Sequence, residues 1–150
     1  MPKSAEAQRI AEAVAEGMFA RDHAAQGLGV TIVEMRPGYA RLTMVVRQDM
    51  LNGHETLHGG FSFALADTAF AYACNSYNHV AVAAGCDIVY PAAGHLGDLL
   101  TAEAVEVHRA GRSGVYDVSV TTQNGEIVAL FRGKSRVLQG EVVAGLTHHA

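Results

Sequence analysis

The stretch His58-Gly59-Gly60-Phe61-Ser62-Phe63-Ala64-Leu65-Ala66-Asp67-Thr68-Ala69-Phe70-Ala71-Tyr72-Ala73-Cys74 decides how the rest of the chain is read. After its paired glycines it contains neither Gly nor Pro. Alanine, the best helix former, recurs at 64, 66, 69, 71 and 73. The run predicts a helix of about four turns. Apolar residues fall on every side of it, so the helix is expected to be wrapped by protein rather than to lie on the surface. One acid, Asp67, stands inside the run with Thr68 beside it. An ionised carboxylate in such surroundings is costly unless something pairs with it, and such a cost is often tolerated where chemistry is done. Asp67 reads as well as an interior acid that reaches solvent at a subunit edge, and the helix alone leaves both readings open.

Working outward, residues 47–60 are polar and glycine-bearing and predict a loop that delivers the chain to the helix. Beyond it, Val80, Val82, Ala84, Cys86, Ile88 and Tyr90 alternate in strict period two with the small residues Ala81, Ala83 and Gly85. This predicts a strand whose small face lies against the helix. Upstream, Ser4 is a candidate cap for an amphipathic helix over 4–22, with Ile10, Val14 and Met18 at helical spacing and the Gly27–Gly29 region ending it. Leu28, Val30 and Ile32 then read as a strand. Arg36-Pro37-Gly38 reads as a turn, and Ala40, Leu42, Met44 and Val46 as a second, half-buried strand. Downstream come a glycine-rich turn over 91–98 and a strand over 99–108. A loop over 111–114 and a strand over 116–121 follow. Asn124-Gly125 then signals a hairpin whose return strand runs over 127–137. The tail, 139–150, shows no pattern. No βαβ alternation appears. The expectation is one α+β domain over 1–150, with a long central helix wrapped by a curved antiparallel sheet of five to six strands.

A chain of 150 residues can bury a full core, and 49% hydrophobic composition with 16 glycines fits a globular fold. The net charge of −4 gives no reason to expect nucleic acid as a partner. No apolar run approaches the ~18–20 residues that span a bilayer, and the charged first residues lack a signal-peptide core. Two cysteines, Cys74 and Cys86, suit a reduced, cytoplasmic protein better than a disulfide scaffold.

Gly59 and Gly60 stand at the helix start, where backbone N–H groups lack intrahelical partners and the dipole end is positive. Glycine admits a ligand close to the bare backbone. That suits an anion or the oxyanion of a polarised carbonyl. The same two glycines also read as a plain tight turn. A carboxylate two turns further along the helix favours the first reading.

Three motifs now add up: Asn52-Gly53-His54, His58-Gly59-Gly60 and Leu65-Ala66-Asp67-Thr68-Ala69-Phe70-Ala71-Tyr72-Ala73-Cys74-Asn75-Ser76. Together they resemble the hotdog-fold acyl-CoA thioesterases of the phenylacetate-degradation (PaaI) type. The resemblance continues through Tyr90-Pro91, Gly114-Val115-Tyr116-Asp117 and Ala129-Leu130-Phe131-Arg132-Gly133-Lys134-Ser135 and spans roughly residues 25–138. It implies that Asp67 acts as nucleophile or as general base for water, and that the Gly59 N–H holds the oxyanion. It further implies that Asn52 positions the thioester or the water and that His58 shapes the loop. The site would lie between subunits of a homo-oligomer, commonly a dimer of dimers, and no cofactor is implied. Gly60, Thr68 and Tyr90 are expected beside the substrate.

Coenzyme A carries phosphates, and five of the eleven basic residues fall within 109–136: Arg109, Arg112, Arg132, Lys134 and Arg136. The loop Gly111-Arg112-Ser113-Gly114 is a candidate phosphate contact, and the alternating Arg132, Lys134 and Arg136 are read as one strand face. An ordinary solvated face explains each of these residues singly.

His54 and His58 stand four apart but in a loop with no third ligand, so no metal site is expected. Cys74 lacks an activating base and reads as core. Two other activities compete with hydrolysis. Hydratase relatives carry His five residues after the helix Asp, where this chain has Tyr72, and dehydratase relatives use a helix Glu with a loop His. A non-enzymatic acyl-CoA sensor would carry a DNA-binding segment, for which residues 1–25 are too short and insufficiently basic.

Overall fold

The central run forms α3 (Gly59–Asn75) in the computed structural model, which describes residues 2–146. His148 and His149 and the last residues of the tail lie outside the described residues. Two helices precede it, α1 (Pro2–Phe19) and α2 (His23–Gly27), then a hairpin of β1 (Thr31–Arg36) and β2 (Tyr39–Val45). After α3 come β3 (His79–Val89), β4 (Leu99–Ala110), β5 (Ser113–Thr121) and β6 (Ile127–Glu141). The six strands form one sheet in the order β1-β2-β4-β5-β6-β3, with every neighbouring pair antiparallel.

The sheet packs one face against α3. Leu42 and Met44 of β2, Leu100 and Ala102 of β4, Tyr116, Val118 and Val120 of β5, and Phe131 of β6 meet Leu65, Ala66, Ala69, Phe70 and Ala73 of the helix. Small residues let the layers approach. A Cβ on Gly133 would stand 2.7–2.8 Å from three carbons of the Phe70 ring. Phe70 in turn makes edge and tilted contacts with Tyr116 and Phe131 at 5.7 Å.

Both ends of α3 are tied down by side chains. His58 is the N-cap, its Nδ1 accepting from the Gly60 N–H at 2.9 Å. At the other end the Asn75 carboxamide donates to Ala71 O and Ala81 O and accepts from the Ala81 N–H, joining helix to β3. Ser76 Oγ accepts from Gly38 N–H and donates to Ala73 O. Asn78 takes the left-handed φ of 68° that turns the chain into β3, and its side chain holds Val143 of the tail by N–H and C=O.

The structure departs from the sequence reading at several points, beginning with β6, which runs past 137 to Glu141 and so takes in the start of the tail read as patternless. The N-terminal helix ends at Phe19. The next residues form the separate helix α2, capped by Asp22 Oδ1 on the Ala25 N–H, so β1 begins at Thr31 instead of Leu28. Ser113 and Gly114 belong to β5, which leaves only Gly111-Arg112 as the turn; Ala110 already pairs with Ser113. In β3 a register shift between Ala83 and Gly85 breaks the strict alternation. Of the small residues expected against the helix only Ala81 is buried, while Ala83 and Gly85 are exposed; beyond the bulge Cys86 and Ile88 pair with Gly133 and Phe131, Ile88 half-buried and Cys86 exposed. Finally, the chain does not wrap α3 on all sides. Ala64, Asp67, Thr68 and Ala71, three to four residues apart, form a half-exposed stripe that the sheet leaves uncovered.

Candidate active site

The loop before α3 is built rather than slack. Met50 is buried, the His58 N–H donates to Met50 O, and the Leu57 N–H donates to Gly94 O. Asn52 braces the loop from inside: Oδ1 accepts from the backbone N–H groups of His54 and Thr56, and Nδ2 donates to Thr56 Oγ1 at 3.1 Å. One amide hydrogen of Asn52 is left without an acceptor among the described residues.

At the helix start the donors divide. The Gly60 N–H is spent on His58, whereas the Gly59 N–H has no acceptor among the described residues. The Gly59 carbonyl accepts from Ser62 Oγ at 3.1 Å and from Tyr90 Oη at 3.3 Å. A Ser three residues into a helix, within reach of the first carbonyl, is a signal that local side-chain-to-backbone bonding supplies. A cavity of about 420 Å³ opens here, lined by Leu57, Gly59, Ser62, Tyr90, Pro91, Ala92, Ala93, Gly94 and Val128.

Asp67 stands in the uncovered stripe, half-buried, with no hydrogen bond or ion pair among the described residues. Desolvation raises its pKa above the ordinary 3.8. Thr68 Oγ1 donates back to Ala64 O at 2.6 Å, so its proton is committed to the helix. Burial, with Asp67 adding to it, pushes the Cys74 thiol up to about 12, so Cys74 is protonated and no nucleophile. Tyr72 is fully buried and donates to Asp22 Oδ2, which removes it from any role beside Asp67.

The basic residues separate. Arg109 is drawn into the fold: its Nε meets Glu106 at 3.2 Å and its guanidinium stacks 3.6 Å from the Tyr77 ring centroid, beyond the C-terminal end of α3. Gly114 is buried beneath Ser135 and Tyr116, with no space for a ligand. Arg132 makes a two-pronged ion pair with Asp117 at 2.6 and 2.8 Å, which holds that carboxyl below its usual range. Arg112, Ser113, Lys134 and Arg136 are exposed, and Lys134 and Arg136 do share one face of β6 with Arg132. Among the described residues no three His, Cys, Asp or Glu side chains converge as a metal site, and no helix is long and apolar enough to cross a membrane.

The structure thus gathers His58, Gly59, Gly60, Ser62 and Tyr90 at one end of α3. It places Asp67 and Thr68 two turns away and the basic residues on the sheet.

This fold and site define a class. The thioesterase superfamily profile matches residues 54–129, and the chain belongs to that family as a hotdog-fold thioesterase of the PaaI type. It is 48% identical over 128 residues to the acyl-coenzyme A thioesterase PaaI of Escherichia coli K12, covering 85% of this chain and 91% of the relative. A solved structure of the E. coli PaaI protein from the phenylacetic acid degradation operon superposes with a TM-score of 0.88, covering 89% of this chain and 97% of that one at 46% identity. A hypothetical thioesterase from Streptococcus pneumoniae TIGR4, solved with coenzyme A, superposes with a TM-score of 0.77 at 29% identity over 83% of this chain and 98% of that one.

Proposed function

We propose that this thioesterase hydrolyses phenylacetyl-CoA, its ring-hydroxylated derivatives or related aryl and medium-chain acyl-CoA thioesters to free acid and coenzyme A. Each site is shared by two copies of the chain. Asp67 of one copy faces the Gly59 N–H of the other.

One observation carries the shared site. Gly59 and Asp67 lie on a single helix eight residues apart, which is about 12 Å of axial rise. An oxyanion donor and an attacking group must both lie about 3 Å from the same thioester. One chain cannot bring its own pair together, but two α3 helices side by side can. The uncovered stripe Ala64, Asp67, Thr68 and Ala71 suits such a packing, because its small residues admit a neighbour. The far edge of the sheet agrees: β3 is an open edge strand, exposed from Val82 to Asp87. Open edges of that length invite pairing. Joining β3 to its copy continues the sheet across the dimer, and two such dimers make the tetramer expected of the family.

The chemistry needs little else. With Asp67 as base, water loses a proton to the carboxylate as its oxygen attacks the thioester carbon. The Gly59 N–H holds the oxyanion, the C–S bond breaks, and the thiolate leaves and takes a proton. With Asp67 as nucleophile, a mixed anhydride forms first and water then cleaves it. A thiolate is a good leaving group, so no strong acid is required. Asn52 holds the loop and offers one N–H toward the substrate or water. Tyr90 and the 420 Å³ cavity stand beside the reacting carbonyl. Arg112 and Lys134, two of the exposed cations, reach for the nucleotide phosphates. Two free thiols, Cys74 and Cys86, suit a cytoplasmic location.

A panel of acyl-CoA thioesters assayed for thiol release tests the reading. Thiol release from aryl substrates is expected, and binding without thiol release would favour a sensing module. Arg112→Glu is expected to raise KM severalfold with kcat within about twofold, as for a lost phosphate contact. An unchanged KM removes Arg112 from the nucleotide site.

A further inference from the structure

We propose that Tyr90 is a positioning residue: it acts on the reaction by fixing the backbone that aims the Gly59 N–H. The inference rests on the oxyanion role proposed for that group.

Glycine is the freest residue in the chain, yet an oxyanion donor is effective only if it is already aimed. The backbone at Gly59 therefore needs outside support. Three contacts supply it. His58 Nδ1 accepts from the Gly60 N–H at 2.9 Å, Ser62 Oγ donates to the Gly59 carbonyl at 3.1 Å, and Tyr90 Oη donates to the same carbonyl at 3.3 Å. The peptide after Gly59 is thus held at both its oxygen and its nitrogen. The peptide before it, which carries the Gly59 N–H, is held at its oxygen by the Phe61 N–H at 3.0 Å, so that fixing the first limits rotation of the second. The first two contacts come from the same short stretch of chain. Tyr90 arrives from 31 residues away, at the end of β3, and so ties the helix start to the sheet.

Its ring also does steric work. A Cβ on Gly59 would stand 3.2 Å from Tyr90 Cε1 and Cζ and 3.4 Å from Oη. The ring rests where a side chain on Gly59 would otherwise project. Pro91 follows and confines Tyr90 to extended backbone, setting the direction of the ring. The hydroxyl bond is long for an O–H donor, so packing carries more of the placement than the hydroxyl.

Kinetics on phenylacetyl-CoA with Tyr90→Phe and Tyr90→Ala test this. Phe keeps the ring and loses only the hydroxyl, so kcat should fall about threefold. Ala loses both, and kcat should fall about tenfold or more. KM should stay within about twofold in each. Hydrogen exchange of the Gly60 amide should quicken severalfold in Tyr90→Ala at an unchanged melting temperature. A raised KM with kcat intact would make Tyr90 a substrate contact and overturn the proposal, as would an unchanged kcat or unchanged exchange. Wild-type turnover in the same assay separates the two ideas. If the wild type releases no thiol, the hydrolase reading fails, while the exchange measurement still decides whether Tyr90 holds the helix start.

Discussion

Asp67→Asn is expected to lower kcat for acyl-CoA hydrolysis by about 10³-fold, within the range for a lost base or nucleophile. The amide is nearly isosteric but cannot take a proton or attack. The fold should persist, because the Asp67 carboxylate makes no hydrogen bond or ion pair among the described residues for the change to break. Stability should move the other way from activity. Desolvation raises the pKa of Asp67 in the folded chain. The folded state therefore holds that proton more tightly than the unfolded state. Its contribution to stability is complete below the unfolded pKa and is lost as pH rises through the folded one. At neutral pH the ionised acid opposes folding, and Asn removes that cost. Calorimetry should find Asp67→Asn melting above wild type at pH 7, with the gap narrowing in acid. Wild-type activity should fall on acidification with an apparent pKa above 3.8. Turnover by Asp67→Asn at the wild-type rate would remove Asp67 from the chemistry.

Val82→Asp is expected to separate the subunits and to cost about a hundredfold in activity. Val82 lies on the open edge strand, 43% exposed in the single chain, so an acid there leaves the folded monomer intact. Paired with its copy, β3 would carry a new carboxylate on each strand of the joined edge, where like charges across strands are unfavourable and a charged edge resists pairing, even with Arg136 opposite each on β6. Sedimentation should show monomers with native circular dichroism. The loss of activity would follow from parting Asp67 from the partner's Gly59 N–H, with no residue of either changed. A fully active Val82→Asp monomer would contradict the shared site.

Local signals carried the sequence reading a long way. The alanine-rich run from His58 and the Asn124-Gly125 corner, where Gly125 takes a φ of 81°, depend on near neighbours alone and formed where expected. The β3 bulge did not show, because it is set by which residues of β6 stand opposite, and register across a sheet is absent from one strand's pattern. Arg109 stood in the group of basic residues read as candidate phosphate contacts because charge is visible in sequence, whereas its stacking on Tyr77 and pairing with Glu106 are products of folding. The role of Tyr90 at Gly59 was hidden for the same reason. The partial exposure of Asp67 was one of the two readings its helix left open, and the structure shows it half-buried in the uncovered stripe. A run apolar on all sides predicts a helix wrapped all round, and nothing in it says which stripe the sheet leaves uncovered.

Mixing two inactive variants tests the shared site most directly. Asp67→Asn lacks the acid, and Gly59→Val drives a branched side chain against Tyr90 and across the donor. If each site joins Asp67 of one chain to Gly59 of its partner, a mixed dimer contains one site with both lesions and one with neither. Random exchange makes half of the dimers mixed, so about a quarter of wild-type activity should return. No recovery after verified subunit exchange would place the acid and its donor within a single chain and contradict the account.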